Sequence, residues 1–180
     1  KEEDLRQVLR ELNTIHQSAP QGNYGVNLIV QKSNPFYTKH LAVCVEQKVP
    51  FYITSLGNPK AVIDAAHSYG AVVYCDVTNL EHAEKCASQG CDGFIAVGQG
   101  AGGHAGPHPL QVLIPALKEK YPHIPVLAAG GITGGASLLS VMALGADGAS
   151  IGTRFIVSKE CDVKEDYKTS ILGAGMDDIV

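Results

Sequence analysis

The segment Gly98-Gln99-Gly100-Ala101-Gly102-Gly103-His104-Ala105-Gly106 sets one histidine among closely spaced glycines, directly after the apolar run Phe94-Ile95-Ala96-Val97. Backbone without a Cβ turns tightly and brings its N–H groups close to a ligand. An imidazole held there is suited to proton transfer near neutral pH. A second stretch, Ala128-Ala129-Gly130-Gly131-Ile132-Thr133-Gly134-Gly135, closes another apolar run, and a third, Ser150-Ile151-Gly152-Thr153-Arg154-Phe155, closes the next. Two successive glycine-rich strand ends, each leading into a helix, offer N–H groups suited to an anion such as phosphate. From the residues alone the plainer reading, glycines that only make tight turns, stays open. His108 and the remaining histidines (His16, His40, His67, His82 and His123) share no spacing and read as structural or surface groups.

Three other chemistries are not expected. Gly98, Gly100 and Gly103 complete a GxGxxG numerically, but Pro107 and Pro109 follow where a dinucleotide fold needs a helix. The same prolines keep His104 and His108 off one helical face, and no carboxylate or cysteine stands nearby, so no metal site is predicted. Cys75, before Asp76 at a strand end, has no histidine at a telling position and reads as packing.

The elements that must position the glycine loops alternate regularly. Strands are predicted at Tyr24–Val30, Phe51–Ser55, Ala71–Asp76, Gly93–Val97, Val126–Ala129 and Ala149–Gly152, each short and apolar on both faces, as parallel strands buried on both sides would be. Helices fit between them. Asn34-Pro35 and Asn58-Pro59 pair a capping side chain with a proline at the first helical position, Thr78 and Glu81 have capping-box spacing, and Gly70, Gly90 and Gly145 fall at helix C-termini. A further helix is expected from Ala136 to Leu144. The pattern predicts an α/β protein with a parallel sheet. A closed (β/α)8 barrel needs eight strands and ~250 residues, and six strands are legible here. Leu5, Val8, Leu9, Leu12 and Ile15 form one apolar stripe on an opening helix with no strand before it. The expectation is therefore a single partial barrel domain over 1–180, strands three to eight, without the leading strands or a C-terminal helical region. Its exposed strand edges predict self-association, as in a homo-oligomer, or misfolding.

Composition narrows the partners. With 45% hydrophobic residues and a net charge of −4, the chain can bury one core, and its scattered Lys and Arg argue against a nucleic-acid surface. No apolar run reaches the ~18 residues of a membrane span. Five cysteines, an odd number without a CxxC, read as reduced thiols of a cytoplasmic protein.

Taken in order, Gly25-Val26-Asn27-Leu28, Gly102-Gly103-His104-x-Gly106, Ala128-Ala129-Gly130-Gly131-Ile132-x-x-Gly135, Ala143-Leu144-Gly145-Ala146-x-Gly148 and Gly152-Thr153-Arg154-Phe155 with Glu160 resemble the nitronate monooxygenase family, formerly 2-nitropropane dioxygenase. That family is similar in turn to the flavin-dependent enoyl-acyl-carrier-protein reductases. The resemblance implies an FMN-dependent (β/α)8 barrel that oxidises nitronates or nitroalkanes with O2. By position, it makes His104 the catalytic histidine near the flavin and gives Asn27, Gly102 and Gly103 flavin contacts. It gives the phosphate to Gly130, Gly131 and the run Ser150, Ile151, Gly152 and Thr153. The chain departs from the family where it has Val97 for a glutamine and Gly100 for an acidic residue. Two alternatives follow: NAD(P)H-dependent enoyl reduction on the same scaffold, and a phosphate-ligand barrel or inactive fragment without redox chemistry.

Overall fold

Strand and helix alternate from end to end in the computed structural model, which describes residues 2–19 and 22–178. The order is α1 (Glu2–Ser18), β1 (Val26–Ile29), α2 (Tyr37–Glu46), β2 (Phe51–Ser55), α3 (Lys60–His67), β3 (Val72–Val77), α4 (Leu80–Ser88), β4 (Gly93–Val97), α5 (Leu110–Lys120), β5 (Val126–Ala129), α6 (Gly135–Ala143), β6 (Gly148–Ser150), α7 (Thr153–Ile156) and α8 (Glu165–Gly173). The strands form one sheet in the order β1-β2-β3-β4-β5-β6, every neighbouring pair parallel. These are six consecutive β/α units of a partial (β/α)8 barrel. Among the described residues β1 and β6 each pair on one side only, which leaves the two edges the sequence reading links to self-association.

Side chains alternate across each strand. Leu28, Tyr52, Val73, Cys75, Phe94, Val126 and Ala128 face the helices and, with Val62, Ile63, Ile114 and Leu117, make the core. Burial of each such large side chain contributes about 1.5–3 kcal/mol. The expected burial of both strand faces does not hold. Only β4 is buried throughout, while β2 and β5 alternate buried with half-exposed residues. The face away from the helices, here the inner face, is open.

That inner face is graded by size. At the end where the strands begin it carries Phe51, Tyr74 and Leu127. Gly93 lies opposite Tyr74, and a Cβ on it would meet the tyrosine ring at 2.4 Å. Gly148 stands in the same relation to Leu127, at 3.0 Å. Toward the opposite end, where the strands finish, the inner face carries the small or polar groups Asn27, Ser55, Asp76, Ala129 and Ser150 interspersed with Ile29, Ile95 and Val97.

Helix boundaries follow the sequence signals with four shifts. Gly70, Gly90 and Gly145 do close helices in the left-handed region, at φ +83°, +87° and +103°. The N-cap of α4 is Asn79, whose side chain accepts from the His82 N–H at 2.8 Å; Thr78 instead bonds the His82 ring. Asn34 caps a turn two residues ahead of α2 by accepting the Phe36 N–H, and α6 starts at Gly135. Asn58 accepts the Lys60 N–H, but α3 starts at Lys60, so Pro59 takes the cap position and not the first helical one.

At the N-terminal rim one fastening occurs twice. Asp92, before β4, donates its N–H to the Val73 carbonyl and accepts the Val73 N–H on its carboxylate at 2.7 Å, with His67 Nε2 at 2.9 Å. Asp147, before β6, does the same to Val126, carboxylate to N–H at 2.8 Å, with Lys118 Nζ at 3.1 Å. The Val126 N–H first, then Lys118, holds the Asp147 carboxyl below its ordinary pKa. A depressed carboxylate contributes stability above its unfolded pKa and loses it as pH falls through the folded value. Asp147→Ala should therefore cost about 1–2 kcal/mol near neutral pH, mostly through the bond to the backbone amide, since the exposed ion pair adds little. Urea midpoints should show this gap, and it should shrink in strong acid. A gap unchanged in acid would contradict the assignment.

Candidate active site

The loop between β4 and α5 carries His104 and braces itself. Gln99 donates its side-chain amide to the Pro107 carbonyl at 2.8 Å and its N–H to the His108 carbonyl at 3.1 Å, while Gly106 N–H reaches the Gly98 carbonyl at 3.3 Å. Gly106 is the pivot: a Cβ there would meet the Val97 carbonyl oxygen at 2.2 Å and Thr78 at 3.2 Å. His104 itself stands exposed on the loop, beyond Gly102 and Gly103, around which the Cβ side is open.

The β5–α6 loop locks against the first through glycine. Gly131 donates its N–H to the Gly100 carbonyl at 2.9 Å, and a Cβ on Gly130 would meet the Ala101 nitrogen at 2.6 Å. This revises an expectation. Gly131 spends on the neighbouring loop the N–H that was assigned to phosphate, and Gly130 serves the contact between loops. The remaining donors lie at the start of α7, where Gly152, Thr153 and Arg154 head a helix whose first N–H groups have no intrahelical partner. Arg154 Nη2 donates to the Thr133 carbonyl at 2.6 Å, tying this third loop to the second. Ser150 points to the inner face, whereas Ile151 packs against the core.

The residues suit an anionic ring-bearing ligand on two counts. Gly102, Gly103, Gly131 and Gly152 have open space where a side chain would stand, and the donors at α7 are cationic or neutral. A cleft of about 260 Å³ runs behind the loops, lined by Gln99, Gly131, Ser137, Ser140 and Leu144; it meets the glycine junction but not His104. Among the described residues no group of three His, Cys, Asp or Glu could hold a metal ion, and no helix is long and apolar enough to cross a membrane.

Sequence reasoning passed over one polar line. Strand alternation sends Cys75 to the helix layer, where the Thr54 hydroxyl lies 3.1 Å from its Sγ and Cys86 and Cys91 adjoin it. Asp76 turns instead to the inner face. There Ser55 Oγ lies 2.6 Å from Asp76 Oδ2 and 3.0 Å from Asn27 Oδ1. Burial raises the Asp76 carboxyl above the ordinary aspartate range, against the lowering pull of the Ser55 hydroxyl. The signal was available in the period of two that puts Asp76 beside Ser55 at neighbouring strand ends.

Replacing Gly106 by alanine should destabilise the protein by about 1–3 kcal/mol, because the added methyl meets backbone that cannot move aside. Gly102→Ala, with nothing within 4 Å, should stay within about 0.5 kcal/mol of wild type. Denaturant midpoints of the two variants decide this, and equal losses would refute the division of glycines into packing and open positions.

The family model for nitronate monooxygenase matches residues 7–180. A (3aS,4S,5R,7aS)-5-hydroxy-7a-methyl-1-oxo-octahydro-1H-indene-4-carboxyl-CoA dehydrogenase from Rhodococcus jostii is 32% identical over 155 residues, 86% of this chain and 43% of that protein. A nitronate monooxygenase from Paraburkholderia phytofirmans is 34% identical over 142 residues, 74% of this chain and 39% of that protein. The match therefore spans less than half the length of either relative. The solved structure of FabK from Thermotoga maritima superposes with a TM-score of 0.86 at 35% identity, covering 97% of this chain and 54% of that one.

Proposed function

Because the chain belongs to the nitronate monooxygenase family, we propose that it carries the larger part of a flavin site that oxidises alkyl nitronates or nitroalkanes with O2. The observation that bears most weight is the convergence of three interlocked loops at one rim, one of them holding His104 exposed. Here Gly152, Thr153 and Arg154 would hold the FMN phosphate through their N–H groups, with Asn27 and Gly102 toward the ring. When bound, the flavin supplies the electron acceptor and its reoxidation by O2. His104 takes the proton from the carbon beside the nitro group, or steadies the anion when the substrate arrives as nitronate. Ser55, Ala129 and Ser150 leave the space in which that carbon sits.

A second reading, hydride exchange with an acyl thioester, draws on the similarity to the carboxyl-CoA dehydrogenase. The two differ in what reduces the flavin. The protein incubated with FMN and desalted should keep the oxidised-flavin absorbance, and an alkyl nitronate should bleach it without oxygen. Bleaching by a reduced nicotinamide or an acyl-CoA alone would favour the second reading, and no retained flavin would refute both. His104→Gln should slow oxidation of the neutral nitroalkane by about 10²–10⁴-fold and that of the nitronate much less. Equal losses on the two substrates would remove His104 from proton transfer.

A further inference from the structure

Asn27, Ser55 and Asp76 come from three successive strands and meet at the C-terminal rim of the inner face. The serine hydroxyl stands within bonding distance of an acceptor on each side, yet it carries one proton and can donate to only one of them. Two arrangements satisfy the line. With Asp76 ionised, Ser55 donates to the carboxylate and must accept from Asn27, so the amide turns its Nδ2 inward and shows its carbonyl outward. With Asp76 protonated, the carboxyl donates to Ser55, Ser55 donates to Asn27 Oδ1, and the Asn27 NH2 faces outward. The two ends of an amide are nearly the same size, so hydrogen bonding alone decides between them.

We propose that Asp76 is a positioning residue which, acting through Ser55, sets whether Asn27 offers the bound ligand an N–H donor or a carbonyl acceptor. This rests on the reading that a flavin occupies the rim, with Asn27 toward its ring. An oxidised isoalloxazine ring carries several acceptors and a single N–H, so the donor orientation is the better match. Binding of FMN then favours protonated Asp76 and draws a proton from solvent.

The surroundings agree. Among the described residues no ion pair involves Asp76: β4 sets Ile95 beside it, β2 brings Ser55, and Cys75 on its own strand faces the helices. Of the imidazoles on the adjoining segments, His82 is bonded to Thr78 and His104 is exposed on its loop. Among the described residues no cation holds the carboxyl ionised, and burial pushes it toward the neutral form.

Two measurements on the full chain test the inference. Calorimetric FMN titrations in buffers of different ionisation enthalpy read the protons taken up. Wild type should take up a proton fraction that Asp76→Asn and Ser55→Ala lack, its affinity weakening by up to about tenfold per pH unit above the Asp76 titration. Asp76→Asn, which has no titrating proton at this position, should bind with no such dependence; ionisation of the phosphate is common to all three. Equal uptake in all three proteins overturns the proposal. In the ligand-free wild type, the [15N]Asn27 side-chain resonance should follow the [13C]Asp76 carboxyl through its titration, and Ser55→Ala should uncouple them. An Asn27 signal that ignores Asp76 in wild type also overturns it. If that coupling is seen but FMN fails to bind, the relay stands and the flavin reading falls.

Discussion

Parallel pairing is the constraint on which everything else depends. Each strand must be re-entered from the same end, so each helix crosses back over one face and every strand finishes at one rim. The β4, β5 and β6 exits are therefore neighbours in space although the histidine loop and Arg154 lie far apart in sequence. That adjacency lets Gly131 reach Gly100 and Arg154 reach Thr133. A hydrogen bond of this kind contributes only about 0.5–1.5 kcal/mol. Its value here is geometric, since it fixes one loop against another that the helices have already brought close.

The inner face shows how the same constraint makes a site with a floor. Large side chains fill the entry end because glycines on the next strand make space for them, as Gly93 does for Tyr74. At the exit end polar groups, Asn27, Ser55, Asp76 and Ser150, stand among apolar ones. A half-buried carboxyl is costly unless partnered, and Asp76 finds its partner in Ser55, whose hydroxyl also reaches Asn27.

Much of this could be read in the chain itself. The six strands, their order and the glycine helix stops follow from apolar runs and punctuation, because those signals are local. Asn79 replacing Thr78 as the cap of α4 shows the limit: both residues can cap, and backbone angles choose between them. His104 and the α7 donors were legible through glycine density and family resemblance. The engagement of Gly131 with Gly100 was not, since it joins loops thirty residues apart through backbone atoms that no side-chain pattern records. The open inner face was likewise hidden, because apolar strands look alike whether one face or both are covered.

The paired aspartates at the opposite rim bear on how the sheet finds its register. A slip of one residue turns a strand's apolar side outward and is rejected by solvation alone. A slip of two keeps every side chain on its proper face, so the hydrophobic pattern is blind to it. Asp92 and Asp147 are not: each carboxylate meets the N–H of one particular residue, Val73 or Val126, while its own N–H meets that residue's carbonyl. Shifted by two, the carboxylate would meet another residue's N–H, but its side-chain partner, His67 on α3 or Lys118 on α5, would be left behind. The fastening thus works as a proofreading mark at β4 and β6, beside the Gly93–Tyr74 and Gly148–Leu127 pairings, which the same slip would turn into clashes.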